Sequence, residues 1–171
     1  MTVPVLLITG SVGVGKTTTA LVAGDLLAAA NRSYAVVDLD TLTWCYPPPA
    51  DDPFNGRLAF RNLTMVWENY AATGAGRLII ARVVESRDEL ERYRDAVPGA
   101  DITVIRLRAS DETLQGRVLG RPVTTGPRYV RRSLELARLM DDRQIEDHLV
   151  ETSGRTVTDV AREVLHRAQW L

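Results

Sequence analysis

The chain has a single cysteine, Cys45, so no internal disulfide framework and no cysteine-rich zinc site is available to it. Its two histidines, His148 and His166, have no partner at metal-ligand spacing. No strictly apolar run exceeds five residues (Leu26 to Ala30), too short for a membrane-spanning helix. A net charge of −1 and the lack of an aromatic-interleaved basic stripe offer no field for nucleic acid. The stretch from Met1 to Gly10 lacks the basic start of a secretory signal and runs straight into a glycine-rich loop, so a cytoplasmic protein is expected. Lysine is the most telling scarcity. Of 21 basic residues 20 are Arg, and the remaining one is Lys16. A lone Lys in an arginine background marks a position that Arg cannot fill.

What is present is ordinary in amount and informative in order. A length of 171 residues with 45% hydrophobic composition suits one folded domain, expected over 1–171. Val3 to Thr9 reads as a buried strand, and Lys16 to Ala30 as a helix with Asn31 as its C-terminal cap. Further strands are expected at Tyr34 to Leu39, Leu78 to Val84, Ile102 to Leu107 and His148 to Thr152. Helices are expected at Arg57 to Thr73, Ser86 to Ala96, Ser110 to Gly120, Pro127 to about Glu146 and Thr156 to Gln169. Pro47, Pro48, Pro49 and Pro53 keep Trp44 to Gly56 out of regular helix. Strand and helix alternate throughout. That pattern specifies an α/β fold: a parallel sheet of about five strands with helices on both faces.

Gly10-Ser11-Val12-Gly13-Val14-Gly15-Lys16-Thr17 fits G-x-x-x-x-G-K-[ST] at every fixed position, between a buried strand and a helix. Such a loop turns backbone N–H groups toward phosphate oxygens, and the helix N-terminus adds roughly half a positive charge. Lys16 is the compact cation for the β and γ phosphates, and the hydroxyl of Thr17 is a ligand for Mg²⁺. Thr18 completes the stretch expected to bind ATP. No N-K-x-D guanine signature occurs, which speaks against a GTPase.

The second strand ends in Val36-Val37-Asp38-Leu39-Asp40. Alternation sends both carboxylates to one side at the carboxyl edge of the sheet, where ligands bind in open α/β folds. One can hold Mg²⁺; the other can take or orient the proton of an attacking hydroxyl.

With these motifs the chain resembles the P-loop NTPases over essentially its whole length. Within them it resembles the small-molecule kinases, of which shikimate kinase, adenylylsulfate kinase, gluconate kinase and chloramphenicol phosphotransferase are examples. The resemblance implies a P-loop NTPase three-layer sandwich and transfer of the γ-phosphoryl group of Mg·ATP to a hydroxyl of a small molecule. It makes Asp38 the metal-side carboxylate and Asp40 the acceptor-side one. The segment Leu114 to Val123 is similar to the shikimate-kinase lid. This implies a mobile lid over about 117–130, with Arg117 on the adenine and Arg121, followed by Pro122, on the phosphates. Arg128, Arg131 and Arg132 beyond it could bind an anionic substrate. Val150-Glu151-Thr152-Ser153-Gly154 resembles the turn that borders the adenine in small kinases, which brings in Thr152 and Ser153.

The resemblance stops at the acceptor. Shikimate kinases carry a triple glycine after the third strand; here the stretch is Ala81-Arg82-Val83-Val84-Glu85-Ser86-Arg87. Shikimate is therefore not the expected acceptor, and Glu85 is a candidate acidic group near Mg²⁺. Trp44, Tyr46, Phe54, Trp67 and Tyr70 are candidates for an apolar acceptor pocket, with Arg57, Arg61 and Asn62 for an anionic group. Two other functions fit the same motifs. One is a nucleotide-binding switch without phosphotransfer; the other is a kinase of nucleotides or polynucleotide ends. A monomer and a homodimer are both compatible with the sequence.

Overall fold

The computed structural model describes residues 2–120 and 126–171. The elements are β1 (Val3–Thr9), α1 (Lys16–Ala29), β2 (Ala35–Asp38), α2 (Gly56–Ala72), β3 (Leu78–Ala81), α3 (Leu90–Ala96), β4 (Ala100–Arg108), α4 (Asp111–Leu119), α5 (Pro127–Arg143), β5 (His148–Glu151) and α6 (Val157–Arg167). Short 3-10 turns lie at Thr41–Thr43 and Arg87–Glu89. The strands form one five-stranded sheet in the order β2-β3-β1-β4-β5, and every pairing is parallel.

Strand alternation divides the core. In β1, Val5 and Leu7 face a cluster built with Leu63 and Trp67 of α2 and Tyr93 of α3. Leu6 and Ile8 face the other way, onto Ala20, Ala23 and Leu27 of α1 and Val160 and Val164 of α6. Every one of these side chains is buried. A strand buried on both faces has no polar side to offer, which is why β1 and β3 read as unbroken apolar runs. On the α1 face the helix comes close: a Cβ on Gly24 would stand 2.6 Å from the ring of Tyr34.

Local signals set the ends. Asn31 takes a left-handed φ of 53° just past α1, Arg32 N donates to Leu27 O and Asn31 N to Ala28 O, a complete Schellman closure. Ser110 caps α4 by accepting from Thr113 N, and Thr156 caps α6 by accepting from Asp159 N.

Several elements end a residue or two before the expected position, and β3 and α5 fall short by the most. β3 stops at Ala81, not Val84, because the chain leaves the ladder onto the end of β1. There Arg82 N donates to Ile8 O at 3.2 Å and Val84 N to the Thr9 hydroxyl at 2.9 Å. α5 stops at Arg143, not near Glu146, where Gln144 turns left-handed (φ 46°). That turn brings Glu146 back to Arg106 of β4, whose side chain is only 4% exposed. Arg106 donates to Glu146 at 3.0 Å and to the more exposed Asp141 of α5 at 2.8 Å.

Breaking a buried ion pair from one side strands the other charge, at about 3–5 kcal/mol, whereas an exposed pair contributes about 0–1 kcal/mol. Because Arg106 keeps Asp141 when Glu146 is removed, Glu146→Ala is expected to lower unfolding free energy by about 1.5–3 kcal/mol, and Asp141→Ala by about 1 kcal/mol or less. Urea titrations with equal m-values check this; equal losses would contradict the assignment of Glu146 as the main partner.

Candidate active site

The sheet order places β1 between β3 and β4, so the chain departs in opposite directions on its two sides. The crevice at the carboxyl end of β1 is where such folds bind ligands, and the loop from Gly10 to Gly15 fills it. The loop can turn there because it lacks side chains at two points. A Cβ on Gly10 would stand 2.5 Å from Leu107 O of β4, and one on Gly13 (φ 87°) would stand 2.8 Å from Val118 of α4. Lys16 reaches back from the first turn of α1 and donates to Gly10 O at 3.0 Å and Ser11 O at 3.1 Å.

Asp38, the last residue of β2, is fixed by two donors. The Thr17 hydroxyl donates to its Oδ2 at 2.6 Å and Asp40 N to its Oδ1 at 3.1 Å. Asp40 stands in the turn that follows, its side chain 56% exposed and its Oδ1 3.9 Å from Nε of Arg82. Two asparagines that the sequence patterns did not single out for this role hold the segment beyond it. Asn55 Nδ2 donates to Thr43 O and Cys45 O, and Asn62 Nδ2 to Leu42 O.

These groups share a cavity of about 230 Å³ lined by Val12, Gly13, Gly15, Lys16, Thr17, Thr18, Asp38, Asp40 and Val83. A second cavity of about 250 Å³ lies across the loop, with Gly13, Gly15 and Thr18 in common. Its other walls are Val14, Thr19, Arg117, Thr152, Arg155, Val157 and Val160. Arg117 is locked in place, donating to Val14 O at 2.8 Å, Thr152 Oγ1 at 2.9 Å and Thr152 O at 3.2 Å. Arg155 is a wall residue that sequence reasoning missed. The signal was its place directly after Thr152-Ser153-Gly154, and its guanidinium is held by Glu163 at 2.6 Å.

The other expected residues are placed as follows. Gly10 and Ser11 form the base of the loop and lend their carbonyls to Lys16. The Ser153 hydroxyl accepts from Ser110 N at 2.8 Å, and Ser153 lines neither cavity. Arg121, with much of the expected lid, lies outside the described residues. Glu85 faces Arg132 of α5 at 3.1 Å and is not among the residues lining the Thr17–Asp38 cavity. Trp67 belongs to the core, and Trp44 (85%) and Tyr46 (92%) stand in solvent with Phe54. Proline-rich backbone keeps that segment off the sheet, which removes the surface these aromatics would need to form a pocket wall.

The carboxyl of Asp40 is raised above its ordinary value near 3.8. Protein packed around the cavity is the largest cause; Lys16 and Arg82 pull the other way, and Asp38 adds to the rise. The donor set suits a hard cation. Thr17 and Asp38 offer two oxygens side by side, with Asp40 two residues on. Among the described residues no group of three or more His, Cys, Asp or Glu could hold a metal ion by itself. The Thr17 hydroxyl and the Asp38 carboxylate are oxygen donors of the kind that Mg²⁺ takes, one or two at a time, when phosphate and water complete its shell.

No protein-family model matches the chain, and no curated protein matches it. Solved structures do. The tunicamycin resistance protein of Deinococcus radiodurans superposes with a TM-score of 0.71 at 18% identity, covering 99% of this chain and 97% of that one. A gluconokinase from Sinorhizobium meliloti gives 0.64 at 19% identity, covering 97% and 91%. The shikimate kinase of Acinetobacter baumannii gives 0.58 at 19% identity, covering 96% and 92%. At these identities the likeness is one of fold. The chain has the fold of these proteins, a P-loop-type α/β fold with a five-stranded parallel sheet.

A raised carboxyl is a stability statement. Below about pH 3.8 Asp40 is protonated folded and unfolded, and no penalty exists. As pH rises through the folded-state value the fold alone must carry a disfavoured charge, so stability is lost. Asp40→Asn is expected to melt higher than the parent at pH 7, with the difference vanishing below about pH 3.8. Melting curves of both proteins across that range check the sign; a variant less stable at pH 7 would contradict it.

Proposed function

We propose that the chain is an ATP-dependent phosphotransferase that moves the γ-phosphoryl group to a hydroxyl of a small molecule. One observation carries this: Lys16, the Thr17–Asp38 pair and the less constrained carboxylate of Asp40 line one cavity, and a second cavity continues across the loop. The paired cavities suit the two ends of a nucleoside triphosphate. Two of the superposed proteins, a gluconokinase and a shikimate kinase, are small-molecule kinases by name.

Bound Mg·ATP would supply the transferable phosphoryl group, with the cation offsetting phosphate charge. The residues divide the remaining work. The amides of the loop from Gly10 to Thr18 and the ammonium of Lys16 bind the phosphates and stabilise charge on the equatorial oxygens. Thr17 and Asp38 hold the cation. Arg117 and Thr152 form the wall on the base side, beside the turn that carries Ser153. Asp40 accepts the proton of the acceptor hydroxyl, or orients that hydroxyl for in-line attack. Arg121, from its place before Pro122 in the lid-like segment, would bring a further cation to the phosphates as water is expelled. A small hydroxyl compound is the partner, and the proposal places the chain in the cytoplasm, where ATP is at hand; among the described residues no helix is long and apolar enough to cross a membrane.

The test follows ADP release against a library of hydroxyl compounds. Asp40→Asn should leave ATP affinity within a few-fold and lower acceptor-dependent turnover by roughly 10²–10⁴. Asp38→Asn should weaken Mg²⁺-dependent ATP binding instead. The opposite pattern would exchange the two roles. If neither variant alters turnover, the nucleotide-switch reading replaces the kinase reading. Lys16→Ala should remove turnover while melting as the parent does; retained turnover would end the phosphate assignment.

A further inference from the structure

The carbonyls of the phosphate loop need partners as much as its amides need phosphate. A trans peptide sets the C=O of one residue opposite to the N–H of the next. Whatever holds a loop carbonyl therefore aims the following amide. Lys16 holds the carbonyls of Gly10 and Ser11, and Arg117 holds that of Val14. The carbonyl of Val12 is held from elsewhere: the hydroxyl of Ser133, in α5, donates to it.

Ser133 is fully buried and lines neither cavity. The inward face of α5 is otherwise apolar, with Leu136 and Met140 buried in the turns that follow. A buried serine within a helix commonly returns its hydroxyl to a carbonyl of its own helix. This one crosses 121 positions of sequence to the loop. Val12 is only half-buried and lines the phosphate cavity, so without the Ser133 hydroxyl its carbonyl is free to turn toward water and to carry the Gly13 amide with it.

We infer that Ser133 is a positioning residue for phosphate binding: by holding the Val12 carbonyl toward α5, it turns the Gly13 amide into the phosphate cavity. This rests on the loop's holding ATP phosphates, as proposed above. Gly13 is the residue for which such a hold matters. With φ 87° and no side chain it has backbone freedom in both directions, and it lines both cavities. The same helix also grips the loop after β3: Arg132 pairs with the Glu85 carboxylate at 3.1 Å and Arg143 donates to Glu85 O at 2.7 Å. α5 thus holds the phosphate loop through Ser133 and the loop after β3 through Arg132 and Arg143, each by its own polar contact.

Isothermal titration with inorganic Mg-triphosphate tests this on the full chain, using the parent, Ser133→Ala and Leu136→Val. The last variant loosens the same helix without touching Val12. Ser133→Ala should bind triphosphate about tenfold more weakly, the order of one hydrogen bond. Leu136→Val should stay within about twofold, even if it melts lower. Phosphate addition to the parent should also move the Gly13 amide proton downfield by NMR, a readout that needs no variant. Parent-like affinity in Ser133→Ala, an equal loss in Leu136→Val, or a Gly13 amide that does not respond would each overturn the inference. A parent that binds no triphosphate would overturn the phosphate reading itself and the inference with it.

Discussion

The carbonyls of the loop between β1 and α1 are held by donors from several parts of the chain: Lys16 on α1, Arg117 on α4 and Ser133 on α5. The site depends on this arrangement. A glycine-rich loop has many conformations of similar energy, and only a few present several amides to one point. Fixing the carbonyls selects those few in advance, so little ordering remains to be done when an anion arrives. The helices that supply the donors are themselves seated by the core, through buried residues such as Leu114 on α4, but it is the hydrogen bonds that aim the cradle.

The side proposed for the acceptor is built on the opposite principle. Asp38 has its carboxylate satisfied by Thr17 and by the amide of Asp40, whereas Asp40 is left beside Lys16 and Arg82 with its charge disfavoured. Asp40 has the two cations at a distance, with Arg82 Nε 3.9 Å from its Oδ1, and an exposed carboxylate with capacity left for a proton or a hydroxyl. The fold tolerates that cost because Asn55 and Asn62 pin the backbone beyond it, so the turn does not relax to relieve the charge. Arg82 stacks against Phe60 at 5.3 Å, and Phe60 meets Tyr93 edge-on at 4.9 Å, which connects this corner to the core between α2 and α3.

The sheet and the phosphate loop were legible in the sequence because their signals are local. An apolar run, a glycine pattern and a lone Lys16 need no knowledge of the rest of the chain, and Ser110, Thr156 and Asn31 announced the ends of their helices. Asp38 was readable as the end of its strand; Asp40 lies past the end of β2 with helical dihedrals, so the turn and not strand alternation brings it to the same cavity. What was not legible depends on contacts between distant segments. Nothing near Ser133 in sequence signals Val12, whereas Arg155 follows directly on Thr152-Ser153-Gly154 and was passed over only because the motif was read as ending at Gly154. The end of α5 was misplaced because its helical pattern continues toward Glu146, and only the buried Arg106 of β4 explains the turn at Gln144. Composition gave Trp44, Tyr46, Phe54 and Trp67 the same weight, yet Trp67 sits on a helix facing the sheet while the other three ride a proline-rich segment in solvent.

The central claim is that the γ-phosphoryl group leaves ATP for a hydroxyl of a small molecule. Phosphorus NMR of the protein with Mg·ATP and pooled hydroxyl metabolites observes that step directly. The account predicts a new phosphomonoester resonance that grows in equal measure with ADP and is absent without the protein. ATP that is bound and left intact, or converted only to ADP and inorganic phosphate across the whole pool, would contradict it.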